Sequence, residues 1–553
     1  MASSVVDPLT LSVVRHKLQA IAEEMVETMT RTCFSPILNQ NQDFSAVVHD
    51  SLGRTVAQAE RVPIHMGAMS TAIREMAHAF AGDIHPSDIL IANDPYAGGS
   101  HLPDITMAKP VFTAGTLRLW VSIRAHQGDI GGLSAGGYSP GAREIWHEGL
   151  RIPPLRLVDE KGLRQDVLAL LGLNSRKAND LKGDLMAQIA AVEVGARRLE
   201  ELIARYGADE IAQCAEAILD AGAASMRALL ARCRSGTYKA VGLLEGDAPG
   251  VTIELPVTIR LSPESAEVDL SDCPDQVDNF LNSPIANTRA AVNVALLYLL
   301  DDTEALNYGS ADAIHLVTRE GSLVHPREPA PVAACTSLTA ATIIEAVLMA
   351  MAEALPENAI CGFARRFRFV IASEDATGAP FIWHSFFNRG GAGAFATGDG
   401  WPNLGGIHNP GGTPSPSIER TESSYPLTVE AYELRPDSGG DGQFRGGLGG
   451  RIVIRYNGEN RGRMIFTGSG TAVAPYGLVG GHAGQVHACE ILRSDGRREA
   501  LGGRESEIAI DGGDRIVCLS AGGGGYGRPD ARSLKDRARD VEFGYASAVD
   551  GCR

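Results

Sequence analysis

Two imidazoles and two carboxylates lie in the first quarter of this chain, in short turn-rich stretches beside apolar runs. Asp43 sits in Asn41-Gln42-Asp43-Phe44-Ser45. His101 and Asp104 sit in Gly98-Gly99-Ser100-His101-Leu102-Pro103-Asp104, and His126 in Arg124-Ala125-His126-Gln127-Gly128-Asp129. Two histidines with two carboxylates form a donor set for a divalent metal, and it suits Zn, Mn or Fe better than Ca or Mg. Asp94 and Asp129 are candidates to accept a proton or to orient the histidines from behind. Each residue also has a plainer reading. Asp43, Asp94 and Asp129 are types that form turns, and His126 ends an apolar strand where a lone histidine is often structural. The spacing is not a compact signature of the HExxH kind.

The elements that must hold these residues are legible in part. Thr10 reads as the N-cap of a helix to about Thr32, with Val14, Leu18, Ile21 and Met25 on one face. A hairpin follows, with Phe44 to His49, a turn at Asp50-Ser51-Leu52-Gly53, and Arg54 to Gln58. A helix is expected over Ala68 to Ala81, and strands over Ile89 to Ala92 and Leu117 to Ala125. On the second strand Trp120, Ser122, Arg124 and His126 share one face. The candidate ligands therefore fall on loops at strand ends, where rigid scaffolds present chemistry. Asp184 to Tyr206 and Asp209 to Cys233 read as two helices forming an excursion or a partner-facing arm. Strands return at Val251 to Leu261 and Ala266 to Leu270, and helices near Asn287 to Leu300 and Ser337 to Ala354. Beyond Phe367 the pattern is strand and glycine turn. The expected fold class is α+β: a metal-binding region over 1–160, a helical excursion over 161–240, a central α/β region over 241–385, and a glycine-rich β region over 386–553.

The bulk numbers bound the function. The 553 residues carry a net charge of −17, which argues against binding nucleic acid or an anionic membrane. No apolar run reaches the roughly 18 residues of a membrane span, and the N-terminus has no basic region or signal-type core. Nine cysteines are scattered without a CxxC pair, which reads as reduced thiols of a cytoplasmic protein. Glycine is abundant, at 63 residues, and concentrated between Gly390 and Gly527. Two tempting motifs fail. Gly132-Leu133-Ser134-Ala135-Gly136 matches GxSxG, but glycines flank it and no helix can follow. Gly522 to Gly527 contains GxGxxG without a βαβ unit, and there is no P-loop.

The Asn-x-Asp-Phe-Ser, Asn-Asp-Pro…Gly-Gly…His-Leu-Pro-Asp and Arg-Ala-His…Asp-Ile-Gly-Gly phrases together resemble the hydantoinase B/oxoprolinase family. The likeness continues through Glu148 to Pro154, Gly183 to Gln188, Asn282-Ser283-Pro284, Glu320 to Pro326, Tyr432 to Gly450, Pro475 to Leu478 and the closing Gly522 to Gly527. The resemblance implies a subunit carrying a divalent metal, Zn or Mn with Fe as a third option, on Asp43, His101, Asp104 and His126. It implies a hydantoinase A-type partner that binds ATP and Mg, and hence a hetero-oligomer. The implied reaction is ATP-dependent ring opening of a hydantoin, 5-oxoproline or a lactam. The alternative is a subunit of an ATP-dependent ketone carboxylase of the acetone or acetophenone type. Two departures stand out: Gln127 replaces a second histidine of many relatives, and 388–419 matches the family loosely.

Overall fold

The computed structural model describes residues 6–59, 61–248, 250–300, 306–411 and 413–547. Cys552 and the first five residues, on which two of the expectations above rest, lie outside them. The fold is α+β, with four sheets among the described residues.

The first sheet builds most of the site. Helix α1 (Pro8–Thr32) and the single turn α2 (Pro36–Asn39) lead into β1 (Phe44–Asp50), β2 (Thr55–Ala59), α3 (Pro63–Ala79), β3 (Ile89–Ala92), β4 (Asp104–Thr113), β5 (Thr116–His126), β6 (Leu155–Asp159) and β7 (Gly162–Leu163). The strands run antiparallel in the order β2-β1-β5-β4-β3-β6-β7. Alternation along β5 sends Val121, Ile123 and Ala125 into the larger core, and Trp120 to the opposite face with Ile73 and Met76 of α3. Arg124 and His126 share the Trp120 face, so the site lies under α3.

Four expectations need correction here. The N-cap of α1 is Asp7, whose carboxylate accepts the Thr10 N–H at 2.9 Å. Helix α3 starts at Pro63, not at Ala68; proline at the first helical position is the signal for that start. Strand β4 was not expected, because Lys109 and Pro110 break its pattern. Pro110 is tolerated because β3 pairs β4 only from Thr106 to Ala108. Its missing N–H therefore lies beyond β3. Lastly, the helical pair is no excursion. After α4 (Gln165–Leu173), α5 (Ala178–Tyr206) and α6 (Ala208–Arg232) follow. Leu185, Ala191, Val192 and Leu199 of α5 are buried in one core with α1, β1, β4 and β5. Asp184 of α5 accepts the Phe34 and Ser35 N–H groups at 2.6 and 3.1 Å, fixing the turn that precedes Asp43.

A second core joins β8 (Gly236–Glu245), β9 (Thr252–Leu261), β10 (Ala266–Asp269) and β11 (Ile314–Val317) to α7 (Ile285–Leu297) and α8 (Ala340–Ala354). Helices α3 and α7 cross at Gly67, where a Cβ would stand 2.7 Å from that of Ala290. The stretch Cys335–Ala354 is apolar and long enough to cross a membrane, but most of it is buried within the protein. Its Glu345 pairs with buried Arg365 at 2.7 Å.

The last part holds β12 (Phe367–Glu374), β13 (Pro380–His384), α9 (Ile418–Ser424), β14 (Leu427–Leu434), β15 (Gly450–Tyr456), β16 (Gly462–Gly468), β17 (Ala488–Leu492), β18 (Arg498–Leu501), β19 (Ile508–Ile510), β20 (Arg515–Leu519) and α10 (Leu534–Glu542). They form sheets β13-β12-β16-β19 and β14-β15-β20-β17-β18. Between them, glycine loops stack backbone on backbone. A Cβ at Gly523 would fall 1.8 Å from the Ala392 carbonyl oxygen, so only glycine fits there.

Candidate metal centre

Asp104 opens β4 and His126 closes β5, directly opposite each other in register. His101 comes from the turn just before β4, where the Asp104 N–H bonds the His101 carbonyl at 3.0 Å. These three side chains converge. Asp104 Oδ1 lies 2.9 Å from His101 Nε2 and 3.0 Å from His126 Nδ1, and the two imidazole nitrogens are 3.0 Å apart. All three residues are buried. Two imidazole nitrogens aimed at each other over one carboxylate oxygen need a shared cation between them, a proton or a metal. Ligand edges near 3.0 Å suit metal bonds of about 2.0–2.1 Å, and two histidines with one carboxylate form a recognised donor set for transition metals.

The surroundings orient the donors. The His101 Nδ1–H donates to the Ala333 carbonyl at 2.9 Å, which leaves Nε2 as the nitrogen facing the cluster. Glu148 in turn holds that carbonyl's loop, accepting the Val332 and Ala333 N–H groups at 2.9 and 2.8 Å. Burial pushes the Glu148 carboxyl up to about 8, against the pull of those two donors. Asp104 Oδ2 accepts from Ser100 Oγ at 2.5 Å and faces His65 Nε2 at 3.3 Å. Burial alone would raise the Asp104 carboxyl; the His101 and His65 charges and its hydrogen bonds hold it well below the usual range. Burial pushes His101 down, against the pull of Asp104.

Asp43 stands beside this triad. Its main-chain oxygen accepts the His126 N–H at 3.0 Å. Its side chain is half-buried and lines a cavity of about 10 Å³ together with His126, Tyr138, Arg366, Arg368, His384 and Ser385; that is room for one water. The residue before it, Gln42, is held at φ 51, backbone strain of the kind that clusters at functional sites. A neighbouring cavity of about 70 Å³ shares Ile37 and His384 as its wall with the first.

Asp94 and Asp129 are not brought to the histidines. Asp94 caps the Tyr96 N–H at 3.0 Å and pairs with Arg151 at 2.8 Å. Asp129 accepts from the Gly131 and Arg176 N–H groups and pairs with Arg176 at 3.0 Å. Both carboxylates organise loops, and neither is hydrogen-bonded to His101 or His126. Asn93, the residue before Asp94, ties the His101 turn to the neighbouring loop: its amide donates to the Leu102 and Leu150 carbonyls. Gln127 is buried against Gln188 of α5 at 3.1 Å, away from the triad.

Sequence reasoning missed His65, Tyr138, Arg366, Arg368 and His384. Pro63 as a helix start could have placed His65 in the first turn of α3. Tyr138 packs on His126 with ring centroids 6.0 Å apart, and Arg366 stacks over the Tyr138 ring at 4.0 Å. No local pattern announces these contacts.

Residues 7–529 match the family model described as Hydantoinase B/oxoprolinase. The chain is 34% identical to the caprolactamase subunit beta of Pseudomonas jessenii, covering 99% of this chain and 95% of that one. It is 31% identical to the 5-oxoprolinase of Saccharomyces cerevisiae over 95% of this chain, but spans only 42% of that longer protein. The crystal structure of the ATP-dependent caprolactamase from Pseudomonas jessenii superposes with a TM-score of 0.92 at 31% identity, covering 99% of this chain and 97% of that one. The nucleotide-free structure of acetone carboxylase reaches 0.89 at 20% identity, over 98% of this chain and 78% of that one; it shares the fold.

Proposed function

Because the chain belongs to the hydantoinase B/oxoprolinase family, we propose that it is the metal-carrying subunit of an ATP-dependent enzyme that opens cyclic amides. The observation that carries this reading is the buried His101–Asp104–His126 triad, with His101 locked by the Ala333 carbonyl so that one nitrogen is free for a metal. The nearly full-length likeness to a caprolactamase subunit supports a hydrolase over a ketone carboxylase, whose fold is shared at lower identity.

An unstrained amide resists water because its carbonyl is weakly electrophilic and its amine leaves poorly. The ATP-binding partner of the hydantoinase A type would activate the amide oxygen by phosphorylation, using Mg. A divalent metal on His101, Asp104 and His126, with Asp43 as a fourth candidate ligand, would supply a water of lowered pKa, from about 15.7 toward about 7. Ring opening then adds one water across the C–N bond, the hydroxyl to the activated carbonyl carbon and a proton to the nitrogen, which leaves the phosphoryl group on the new carboxyl oxygen; a second water releases it as inorganic phosphate. The chain's own residues set the stage. Asp104 brings a buried negative charge to both imidazoles, and His65 stands behind it. Tyr138 covers the His126 ring, and Ile37 and His384 separate the water-sized cavity from the larger one, which we take as the side from which the ring approaches.

The test is phosphate release by this chain co-purified with its ATP-binding partner, over a panel of lactams, hydantoins, 5-oxoproline and ketones, with and without bicarbonate. Release driven by a cyclic amide without bicarbonate is expected. Release driven only by a ketone with bicarbonate overturns the reading.

A further inference from the structure

Buried charges are ordinarily paired, because each unpaired one costs several kcal/mol of desolvation. The chain obeys this at Arg365, whose guanidinium meets buried Glu345. The next two arginines on the same stretch, buried Arg366 and half-buried Arg368, do not. Arg366 immediately precedes β12 and Arg368 lies within it, two residues apart on one face. Both line the small cavity beside His126. Among the described residues neither forms an ion pair. Arg366 donates to Thr467 Oγ1 at 2.6 Å and stacks on Tyr138; Arg368 stacks on Phe386 at 4.1 Å. The one carboxylate acting on both is Asp43, which also acts on His65.

The neighbourhood adds positive charge. Arg389 acts on Arg368 from the following loop, and its Nε is buried without a hydrogen-bond partner. His384 and His408 also face the arginines, and burial pushes both down to about 3, so they stay neutral. Two lining guanidiniums against one shared carboxylate, with Arg389 behind Arg368, leave the pocket positive before any metal is counted. Ser385 lines the same cavity, fully buried, with its hydroxyl lacking a partner. A buried donor left open is an exception that asks for a ligand.

We propose that Arg366, Arg368 and Ser385 form an oxyanion pocket beside the triad, which seats the anionic group of the activated substrate. Planar guanidiniums match phosphoryl and carboxylate oxygens alike. Two sources fit that chemistry: the phosphoryl group on an activated amide oxygen, or a carboxylate borne by the ring. The cavity now holds one oxygen-sized group, so a whole phosphoryl or carboxylate group enters with His384, the shared wall, moved aside. The carrier of the anion rests on the cyclic-amide reading; the pocket itself does not.

The experiment uses the full-length chain and inorganic phosphate, with acetate as the carboxylate probe, followed by calorimetry. Saturable phosphate binding is expected, weakened at least tenfold in Arg368→Gln with metal content unchanged. Arg368→Lys, which keeps the charge and loses the fork, is expected to weaken binding by a smaller factor; it serves as the readout if the glutamine variant does not fold. Equal phosphate and acetate affinity in wild type and variant, or no saturable binding of either, overturns the pocket. This holds whether or not the complex opens any cyclic amide. In the complex, loss of turnover by Arg368→Gln on a neutral lactam and on 5-oxoproline alike assigns the phosphoryl group; loss confined to 5-oxoproline assigns the ring carboxylate. Unchanged kcat and KM on both overturn the assignment to substrate.

Discussion

Asp104→Asn is the substitution from which most can be learned. It keeps the shape of a side chain that is wholly buried and removes one negative charge. That charge has four close partners at 2.5 to 3.3 Å: Ser100, His101, His126 and His65. It also balances Arg124, which is fully buried and touches Ser100 and Thr106. Removing one member of a buried charge pair costs about 3–5 kcal/mol, because the other is stranded. The metal-free variant should therefore unfold at visibly lower denaturant, with the same far-ultraviolet dichroism at rest. Metal binding should suffer more. Loss of a partner that merely orients a ligand costs about 10–100-fold in affinity, so loss of a donor at the centre of the triad should exceed about 100-fold. The assay is metal content by plasma emission after dialysis against a weak chelator, beside a competition titration. If Asp104→Asn retains metal within about threefold of wild type, His101, Asp104 and His126 are not the binding site and the reasoning fails.

Asp94→Asn and Asp129→Asn should leave metal content and the pH profile of turnover unchanged while lowering stability by about 1–3 kcal/mol, since each carboxylate serves a loop and an arginine; a metal-free Asp129→Asn would return that residue to the site. Glu148→Gln replaces an acceptor by an amide donor opposite the Val332 or Ala333 N–H, and should weaken metal binding about 10–100-fold through the Ala333 carbonyl, checked by the same titration. Glu148 also carries a pH signature. Its value of about 8 lies above the ordinary 4.5, so its contribution to stability is full below about 4.5 and is lost as pH rises to about 8. The stability advantage of wild type over Glu148→Gln should narrow across that window by roughly 1.4 kcal/mol per pH unit at most, read from denaturation at pH 5, 6.5 and 8. Gly523→Ala drives a methyl into the Ala392 carbonyl, where backbone must move, and should cost several kcal/mol or soluble yield altogether; a wild-type melting curve would contradict the stacked-loop packing.

What could be read from the sequence was what is local. His101 and Asp104 lie three residues apart in a turn shaped by Gly98, Gly99 and Pro103, and period-two alternation put His126 on the same face as Arg124. Helices α1, α5, α6 and α8 were legible because their apolar stripes are long and regular. Asp94 and Asp129 misled because an aspartate in a turn looks alike whether it caps a backbone N–H or steers a ligand. The partner of the His101 imidazole is a main-chain oxygen 232 residues away, a contact no side-chain pattern can encode. Strand β4 hid behind Pro110, whose position is permissible only because β3 is short.

The same distinction between local and distant contacts explains how the site is divided. Two donors come from facing ends of β4 and β5 and the third from the turn before β4, so the mutual geometry is set by strand register and that turn, with the His101 ring fixed by the Ala333 carbonyl. The groups that would meet the substrate come from another layer: Arg366, Arg368 and His384, from β12, β13 and the residue before β12. A metal can thus stay held while the arginine side rearranges: what links that side to the triad is Tyr138, packed against His126 and under Arg366, and the bond from His384 to the Gly128 carbonyl. Gly128 carries no side chain there, and that bond, at 3.2 Å, is the lighter of the two to break.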